Sequence, residues 1–539
     1  VGYDLLNQHE ERYYGAQTVR NSSAPKGYGS DRWTQIFNYT TNNFFRYETS
    51  ISDLHQIDAT IGMSYQESNR DYGNVEGQQF PSSSYNKIAA SALLTAGSST
   101  ETKYSFLSYF ARANYKFNNR YLVSLSGRVD GSSRFGKDNR YGFFPAASVG
   151  WILTEESFLA ENSVVEFLKL RASYGITGNA EIANFASRAL YSGDAGYGSI
   201  GGQRPSQLPN PDLRWEQTAQ LDIGIDFGFL NNRITGEVDY YIKKTSDLLL
   251  EVNLPGSSGY STQTRNVGEM ENKGFELVIN SENLVGDLKW TTSFNIARNI
   301  NKVTNIQGQI IQGDFLNRAV EGEPIGVFYG PKYAGVNPDN GDALYYVRNA
   351  NGELETTNDY NAATYMVLGN PNPDYIGGIT NTFSYKGIDF SFLFQGVFGN
   401  DVYNGGGKFM SANGDFFDNQ TKDQLGRWRN PGDITDIPQA RLYGANGTGE
   451  SSRYLSDATY VRLKTITLGY NLPTSLISRA KLSKVRVYAS GQNILTFTDY
   501  EGWDPEVNSD TYAGNVNQGV DFYSAPQAKT ITFGINIGF

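Results

Sequence analysis

The sequence predicts an all-β protein built as a large antiparallel β-barrel that crosses a membrane. Three observations carry this reading. Apolar and polar residues alternate with a period of two in about fifteen segments, the pattern of strands with two unlike faces. The connections between those segments alternate short and long along the chain. No apolar run approaches the roughly 18–20 residues a membrane helix needs, whereas barrel strands leave only alternating signals of about 10 residues each.

Composition supports the class. Among 539 residues there are 37 Tyr, 31 Phe and 58 Gly, as expected of many strands joined by many turns. The net charge of −11 argues against a nucleic-acid partner. The absence of cysteine excludes disulfides and thiolate metal sites. A mean hydropathy of −0.47 fits large polar loops on an otherwise lipid-ready sheet.

In chain order, 1–30 reads as a loop. Strands are expected near 32–47, 54–68, 103–117, 120–131, 141–155, 164–176, 215–229 and 233–247. They continue at 272–283, 286–300, 373–386, 388–398, 458–471, 484–496 and 526–539. In 164–176, Leu168, Leu170, Ala172 and Tyr174 alternate with Lys169, Arg171 and Ser173. In 215–229, Leu221, Ile223, Ile225, Phe227 and Phe229 alternate with Gln220, Asp222, Gly224, Asp226 and Gly228. After Asn231 and Asn232, an apolar series of Ile234, Val238, Tyr240 and Ile242 faces away from Thr235, Glu237, Asp239, Tyr241 and Lys243. In 458–471, Val461 and Leu463 set one register and Ile466, Leu468 and Tyr470 the other. A bulge near Lys464 and Thr465 reconciles them. The last strand alternates without a break. Ile531, Phe533, Ile535, Ile537 and Phe539 fall on one side, and Thr530, Thr532, Gly534, Asn536 and Gly538 on the other.

Short connections fall at 48–53, 118–119, 156–163, 230–232, 284–285, 387 and 472–483. Long ones fall at 69–102, 132–140, 177–214, 248–271, 301–372, 399–457 and 497–525. An up-and-down meander puts every second connection at the same end, as in outer-membrane barrels with short periplasmic turns and long extracellular loops. Phe539 then ends a strand that runs toward the periplasm. The polar face, with Arg128, Asp222, Asp226, Glu237, Asp239 and Arg486, would line the lumen, and the apolar face would meet lipid and lipopolysaccharide. Fifteen strands is an odd number. Bacterial single-chain barrels use an even one, so further N-terminal strands are expected outside this chain.

Reaction chemistry is sparse. The two histidines are His9 and His55. His9-Glu10-Glu11 does not continue to a second histidine, so it is no zinc-protease motif, and polar turn histidines are the plainer reading. Gly405, Gly406, Gly407 and Lys408 resemble a phosphate loop in composition only. The run from Asn337 to Asp342 offers oxygen ligands for calcium, or forms a turn of Asp, Asn and Gly. The loop aromatics Tyr197, Tyr260, Phe409, Phe417, Trp428 and Trp503 either stack on a ligand or dock a partner, or pack the large loops together. No catalytic, cofactor or resident metal site is expected.

A series of motifs gives the chain a family resemblance. Arg128-Val129-Asp130-Gly131-Ser132-Ser133-Arg134-Phe135-Gly136 is followed by Phe144-Pro145 and Trp151. Leu168 to Gly175 and Thr177-Gly178-Asn179 come next, then Asn210-Pro211-Asp212-Leu213-Arg214-Trp215-Glu216. Asn266-Val267-Gly268, Asn272 to Glu276, and Gly369-Asn370-Pro371-Asn372-Pro373 follow, with Gln395-Gly396 and Trp428 beyond them. Tyr460-Val461-Arg462-Leu463, Leu468-Gly469-Tyr470, Asp504-Pro505-Glu506 and Phe533-Gly534-Ile535-Asn536 complete the series. In this order the motifs resemble the SusC/RagA family of TonB-dependent outer-membrane transporters of Bacteroidetes. The resemblance implies a barrel of about 22 strands, of which 1–539 would be the C-terminal fifteen or so, with the plug domain and TonB-binding segment upstream. It implies no enzyme activity. It implies import of oligosaccharides or oligopeptides, driven through TonB and shared with a SusD-like surface lipoprotein. A siderophore or cobalamin receptor, or a barrel serving as a structural or docking subunit, are alternatives on the same fold. A secreted soluble β protein or surface hydrolase is an alternative on another.

Overall fold

The computed structural model describes residues 1–15, 27–52, 54–159, 162–416, 419–509 and 516–539. The strands pair in chain order. The first eight are β1 (Gly2–Tyr14), β2 (Tyr28–Ile51), β3 (His55–Gln78), β4 (Leu93–Phe117), β5 (Tyr121–Ser132), β6 (Tyr141–Ile152), β7 (Val165–Asn179) and β8 (Glu216–Phe229). The second eight are β9 (Ile234–Ser246), β10 (Glu269–Val285), β11 (Leu288–Asn305), β12 (Tyr375–Tyr385), β13 (Ile388–Phe398), β14 (Tyr460–Asn471), β15 (Lys484–Thr498) and β16 (Thr530–Gly538). Together they form one 16-stranded sheet, each strand hydrogen-bonded to its successor. Among the described residues no helix is long and apolar enough to cross a membrane.

The sheet corrects the sequence reading in two places. Residues 2–14, expected in a loop, form β1 and pair with β2 from Gly2↔Thr40 to Tyr14↔Tyr28. The odd count rested on that loop; with β1 the main sheet has 16 strands among the described residues, and the parity argument for strands outside the chain falls. The long connection expected at 69–102 is also shorter. β3 runs on to Gln78 and β4 begins at Leu93, paired through to Gln78↔Leu93. Both errors have one cause. Asn7 to Arg12, Arg70 to Asn74 and Ser98 to Lys103 are polar on both faces, so they show no alternation. At about 3.3 Å per residue a 24-residue strand such as β2 reaches roughly 80 Å, and only about 9–11 residues of it are needed to cross lipid.

Elsewhere the alternation located the strands. The expected 388–398 matches β13 residue for residue. The bulge falls where the register slip required it: Leu393 pairs with Thr465 and Phe394 with Leu463, which skips Lys464. The tight turns use left-handed residues that asparagine tolerates, at Asn118 (φ 49°), Asn119 (φ 55°), Asn231 (φ 58°) and Asn232 (φ 57°).

The chain divides into two compact units. The first comprises Val1–Val149, Ser173–Ala219 and Ser246–Val267. It holds β1 to β5 and two small loop hairpins, Leu190–Ser192 with Arg204–Gln207 and Leu249–Asn253 with Thr262–Asn266. Its buried cluster contains Phe135, Phe144, Ala180, Ala186, Leu213 and Trp215. The second comprises Gly150–Ala172, Gln220–Thr245 and Gly268–Phe539. It holds β10 to β16. Its long connections carry small sheets of four, three and three strands. Leu316, Phe328, Tyr403, Tyr454 and Val520 form its largest buried cluster.

The buried side chains lie mainly in the long connections and at the strand ends beside them. The strands carry the opposite. Ile531, Phe533 and Ile535 of β16 are 68%, 80% and 65% exposed. Such a face is unstable in water and suited to lipid.

Candidate functional site

Two features of the long connections and one of the polar strand face have the geometry of function. The polar face comes first, because it follows from strand spacing. In the second unit, Arg171 of β7 reaches across β8 to β9. Its guanidinium donates to Asp226 (2.8 Å), Asp222 (3.2 Å) and Asp239 (2.7 Å), and Glu237 lies 3.7 Å away. Lys169 pairs with Asp226 at 2.9 Å. Strands about 4.8 Å apart bring residues of three neighbours within reach of one arginine. Four of the six expected lumen residues thus meet around a cation that was read only as part of the alternation. Arg486 of β15 forms a two-pronged pair with Asp389 of β13, 3.1 Å and 2.5 Å. In the first unit, Arg128 pairs with Asp130, donates to Ser64 at 3.3 Å and lies 5.5 Å from the Phe110 ring.

The first unit's loop core is assembled from the family-like motifs. Trp215 sits between Phe135 and Phe144, with ring centroids 5.3 Å from each, and its indole N–H donates to the Arg140 carbonyl at 2.8 Å. Arg134 donates to the Ala180 carbonyl at 2.9 Å and to Asn184 at 3.0 Å, with its guanidinium 4.3 Å from the Tyr104 ring. Asn266 joins the hairpin to the same core by accepting from the Arg214 N–H and donating to the Arg214 and Asp247 carbonyls. Gly136 has no room for a side chain, since a Cβ there would lie 1.9 Å from the Pro211 carbonyl oxygen. Motifs more than 70 residues apart in sequence therefore share one knot whose work is to fix the loops.

The second unit repeats the arrangement with charges. Arg462 is 2% exposed and pairs with Asp504, itself 4% exposed, and with Glu506 at 2.8 Å. Lys464, freed by the bulge, also binds Glu506 at 2.6 Å. Burial pushes the Asp504 carboxyl up. The guanidinium of Arg462 and the N–H groups of Glu506 and Gln527 outweigh it, so the group sits below the usual carboxylate range. Asp401 behaves oppositely. Burial raises it, and the N–H of Asn370 offsets this only in part. The connections 306–374 and 399–459 also bury tyrosines, and burial pushes Tyr345 and Tyr454 up to about 12.

The loop aromatics separate into three groups. Tyr197 (90% exposed) and Trp503 (64%) stand in solvent, and Tyr260 is half-buried at a turn. Trp428 follows the packing alternative. It is buried, its indole N–H donates to the Pro338 carbonyl at 3.0 Å, and it packs one connection on another. Phe417 lies outside the described residues. Phe409 belongs to a contiguous patch that sequence spacing did not disclose: it is 5.0 Å from Phe416 and 6.3 Å from Phe522, which in turn is 5.5 Å from Phe315 and 4.9 Å from Tyr523. These rings come from three connections of the second unit, and no local pattern links them. Lys408 lies 5.5 Å from the Phe315 ring and 5.4 Å from the Phe409 ring, and binds Glu450 at 2.9 Å. That pairing occupies the one cation of the glycine-rich run with a carboxylate.

The run from Asn337 to Asp342 forms a turn. Asn337 and Asn340 side chains accept from the N–H groups of Asp339 and Asp342. The Asp342 carboxylate accepts from Arg441, from Asn358 at 2.8 Å and from Asn340 at 3.0 Å. Its oxygens are committed to N–H donors rather than arranged for calcium.

An all-β chain with exposed apolar strand faces, a charged ladder on the opposite face and packed long connections has the construction expected of an outer-membrane barrel receptor. The chain belongs to the TonB dependent receptor-like, beta-barrel family, whose model matches residues 2–387. The family is one of receptors and transporters, not enzymes. Among known proteins, the chain is 34% identical to TonB-dependent receptor P3 of Formosa agariphila, over 97% of this chain and 54% of that protein. It is 33% identical to TonB-dependent receptor SusC of Bacteroides thetaiotaomicron, over 95% of this chain and 51% of that protein. The solved RagAB peptide transporter matches all of this chain and 59% of its own with a TM-score of 0.88 at 28% identity. The chain thus spans about half the length of the curated relatives it matches.

Proposed function

We propose that the chain is the barrel portion of an outer-membrane importer that takes up oligosaccharides or oligopeptides with a SusD-like surface lipoprotein and is energised through TonB. The observation that carries this is the likeness over the whole chain to the RagAB peptide transporter, at a TM-score of 0.88. The SusC relative supports the same class. The geometry supplies parts suited to it. The charged inner face offers a polar path, the knotted loops a fixed rim, and the patch around Phe409 and Phe522 a surface for apolar side chains or sugar faces. The short turns, and with them Phe539, lie on the periplasmic side in this reading.

Uptake tests it. In a strain lacking the gene, labelled oligosaccharides and oligopeptides are offered with the full-length protein restored, with and without functional TonB. Energy-dependent uptake of one cargo class that disappears without TonB supports the proposal. Equal uptake in all strains overturns it. Purification of the full-length protein from outer membranes should bring the surface lipoprotein with it.

A further inference from the structure

The His9-Glu10-Glu11 run, set aside as a protease motif, has a second partner set in three dimensions. β1 and β2 pair in register there, with His9 opposite Trp33 and Glu11 opposite Asp31. His9 and Glu11 are two residues apart on one strand, so they share a face, and Asp31 joins that face from the neighbouring strand. His9 Nε2 lies 2.6 Å from an Asp31 carboxylate oxygen and 3.8 Å from one of Glu11. Among the described residues this is the one group of three His, Cys, Asp or Glu side chains whose ligand atoms lie within 4.8 Å of one another.

We propose that His9, Glu11 and Asp31 bind a divalent transition-metal ion of the zinc type. One imidazole nitrogen and two carboxylate oxygens are borderline ligands that suit such an ion better than calcium or magnesium, which take oxygens alone. With metal–ligand bonds of about 2.1 Å, donors at a tetrahedral ion stand about 3.4 Å apart. The observed 2.6 Å and 3.8 Å bracket that spacing and all three ligand atoms lie within 4.8 Å of one another, so side-chain shifts of about 1 Å close the site on a fixed backbone. Water completes the coordination.

One cation already stands at the site and would have to be displaced. Lys87, from the connection between β3 and β4, holds its ammonium 2.6 Å from Glu11. A metal takes over this carboxylate, and Lys87 swings to solvent, where its side chain is already 66% exposed. Arg12 is paired with Glu10 and points to the other face of β1. The three ligands lie near the end of β1 at Tyr14 and the start of β2 at Tyr28. The ion ties β1 to β2 and is independent of the import reading.

The test uses the full-length protein purified in detergent, titrated with Zn2+ alone by calorimetry and with Co2+ by visible absorption. The expected result is one ion per chain. His9→Ala and Asp31→Asn should each weaken binding by at least about tenfold and remove the Co2+ ligand-field bands. Lys87→Ala should tighten binding several-fold, because it removes a competing cation. Heat-modifiable gel migration should be unchanged in all three, as His9 and Lys87 are exposed and Asp31 is partly so. Absence of Zn2+ binding, or binding of equal strength in His9→Ala, overturns the proposal. In that case the contacts are a hydrogen-bonded surface pair.

Discussion

The sheet and its long connections solve opposite problems. Along the sheet, large apolar side chains stand exposed on one strand face, as at Ile223 (50% exposed) and Phe533, and charged groups such as Arg171 lie on the opposite face among carboxylates. In the connections, apolar side chains are packed away, as at Leu213, Phe328 and Tyr403, and a charged group is buried too, as at Asp504. The sheet is inverted relative to a water-soluble protein, and the connections are not. The difference teaches that the sheet takes its stability from ladder hydrogen bonds and a lipid solvent, and the loops from cores of their own. A substitution should therefore act on one region and leave the other standing.

The largest separation is expected at Trp215→Ala. Removing a buried tryptophan costs about 3–5 kcal/mol, and here the loss falls on the connections 180–215 and 247–268. Those segments should become open to protease and exchange their amide hydrogens rapidly, while heat-modifiable migration persists. Loss of the folded barrel band would show that sheet and loops stand or fall together.

Next in size is a charge on the lipid face. Ile535→Arg should lower unfolding stability in lipid vesicles by about 2–4 kcal/mol, and Thr532→Arg on the opposite face of β16 by about 1 kcal/mol or less. Equal costs would mean that the two faces of the strand do not differ in solvent. A smaller effect, about 1–3 kcal/mol of overpacking, is expected for Gly136→Ala, which drives a methyl group onto the Pro211 carbonyl. Its readout is again loop exchange, with the sheet unaffected.

The same division decided what the sequence disclosed. Where a strand crosses lipid its faces differ, so alternation located β8, β13 and β16 within a few residues and placed the bulge at Lys464. Where β1, β3 and β4 are polar on both faces, alternation vanishes, and 2–14 and 69–78 read as loop. The inner ladder was half legible. Asp222, Asp226, Glu237 and Asp239 were marked by phase, but Arg171 as their common partner needed the three-strand geometry. The loop knots were legible only as motifs without reasons. That Trp215 packs on Phe135, or that Arg462 binds Asp504, depends on contacts 80 and 42 residues apart, which no local period encodes. The patch around Phe409 and Phe522 was hidden for the same reason.

The smallest expected effect concerns pH and distinguishes two carboxylates within the connections. Asp504 is held below its ordinary value by Arg462, so its ionised form stabilises the fold. That contribution is complete above the unfolded value near about 4 and disappears as pH falls through the lower folded value. The connection 499–529 should therefore loosen only in acid below about pH 4, seen as faster amide exchange. Asp401 is raised by burial, so its neutral form is the better fit, and ionisation weakens the fold as pH climbs past the unfolded value. Asp504→Asn should accordingly loosen the loops at pH 7, because Arg462 keeps its burial and loses its closest anion. Asp401→Asn should leave them unchanged or tighten them, since the amide oxygen still accepts the Asn370 N–H, now 2.8 Å from the carboxylate. If the two substitutions act alike, the loop carboxylates are not divided by their partners, and the contrast between a charge-anchored and a burial-raised aspartate fails while the contrast between sheet and loops stands.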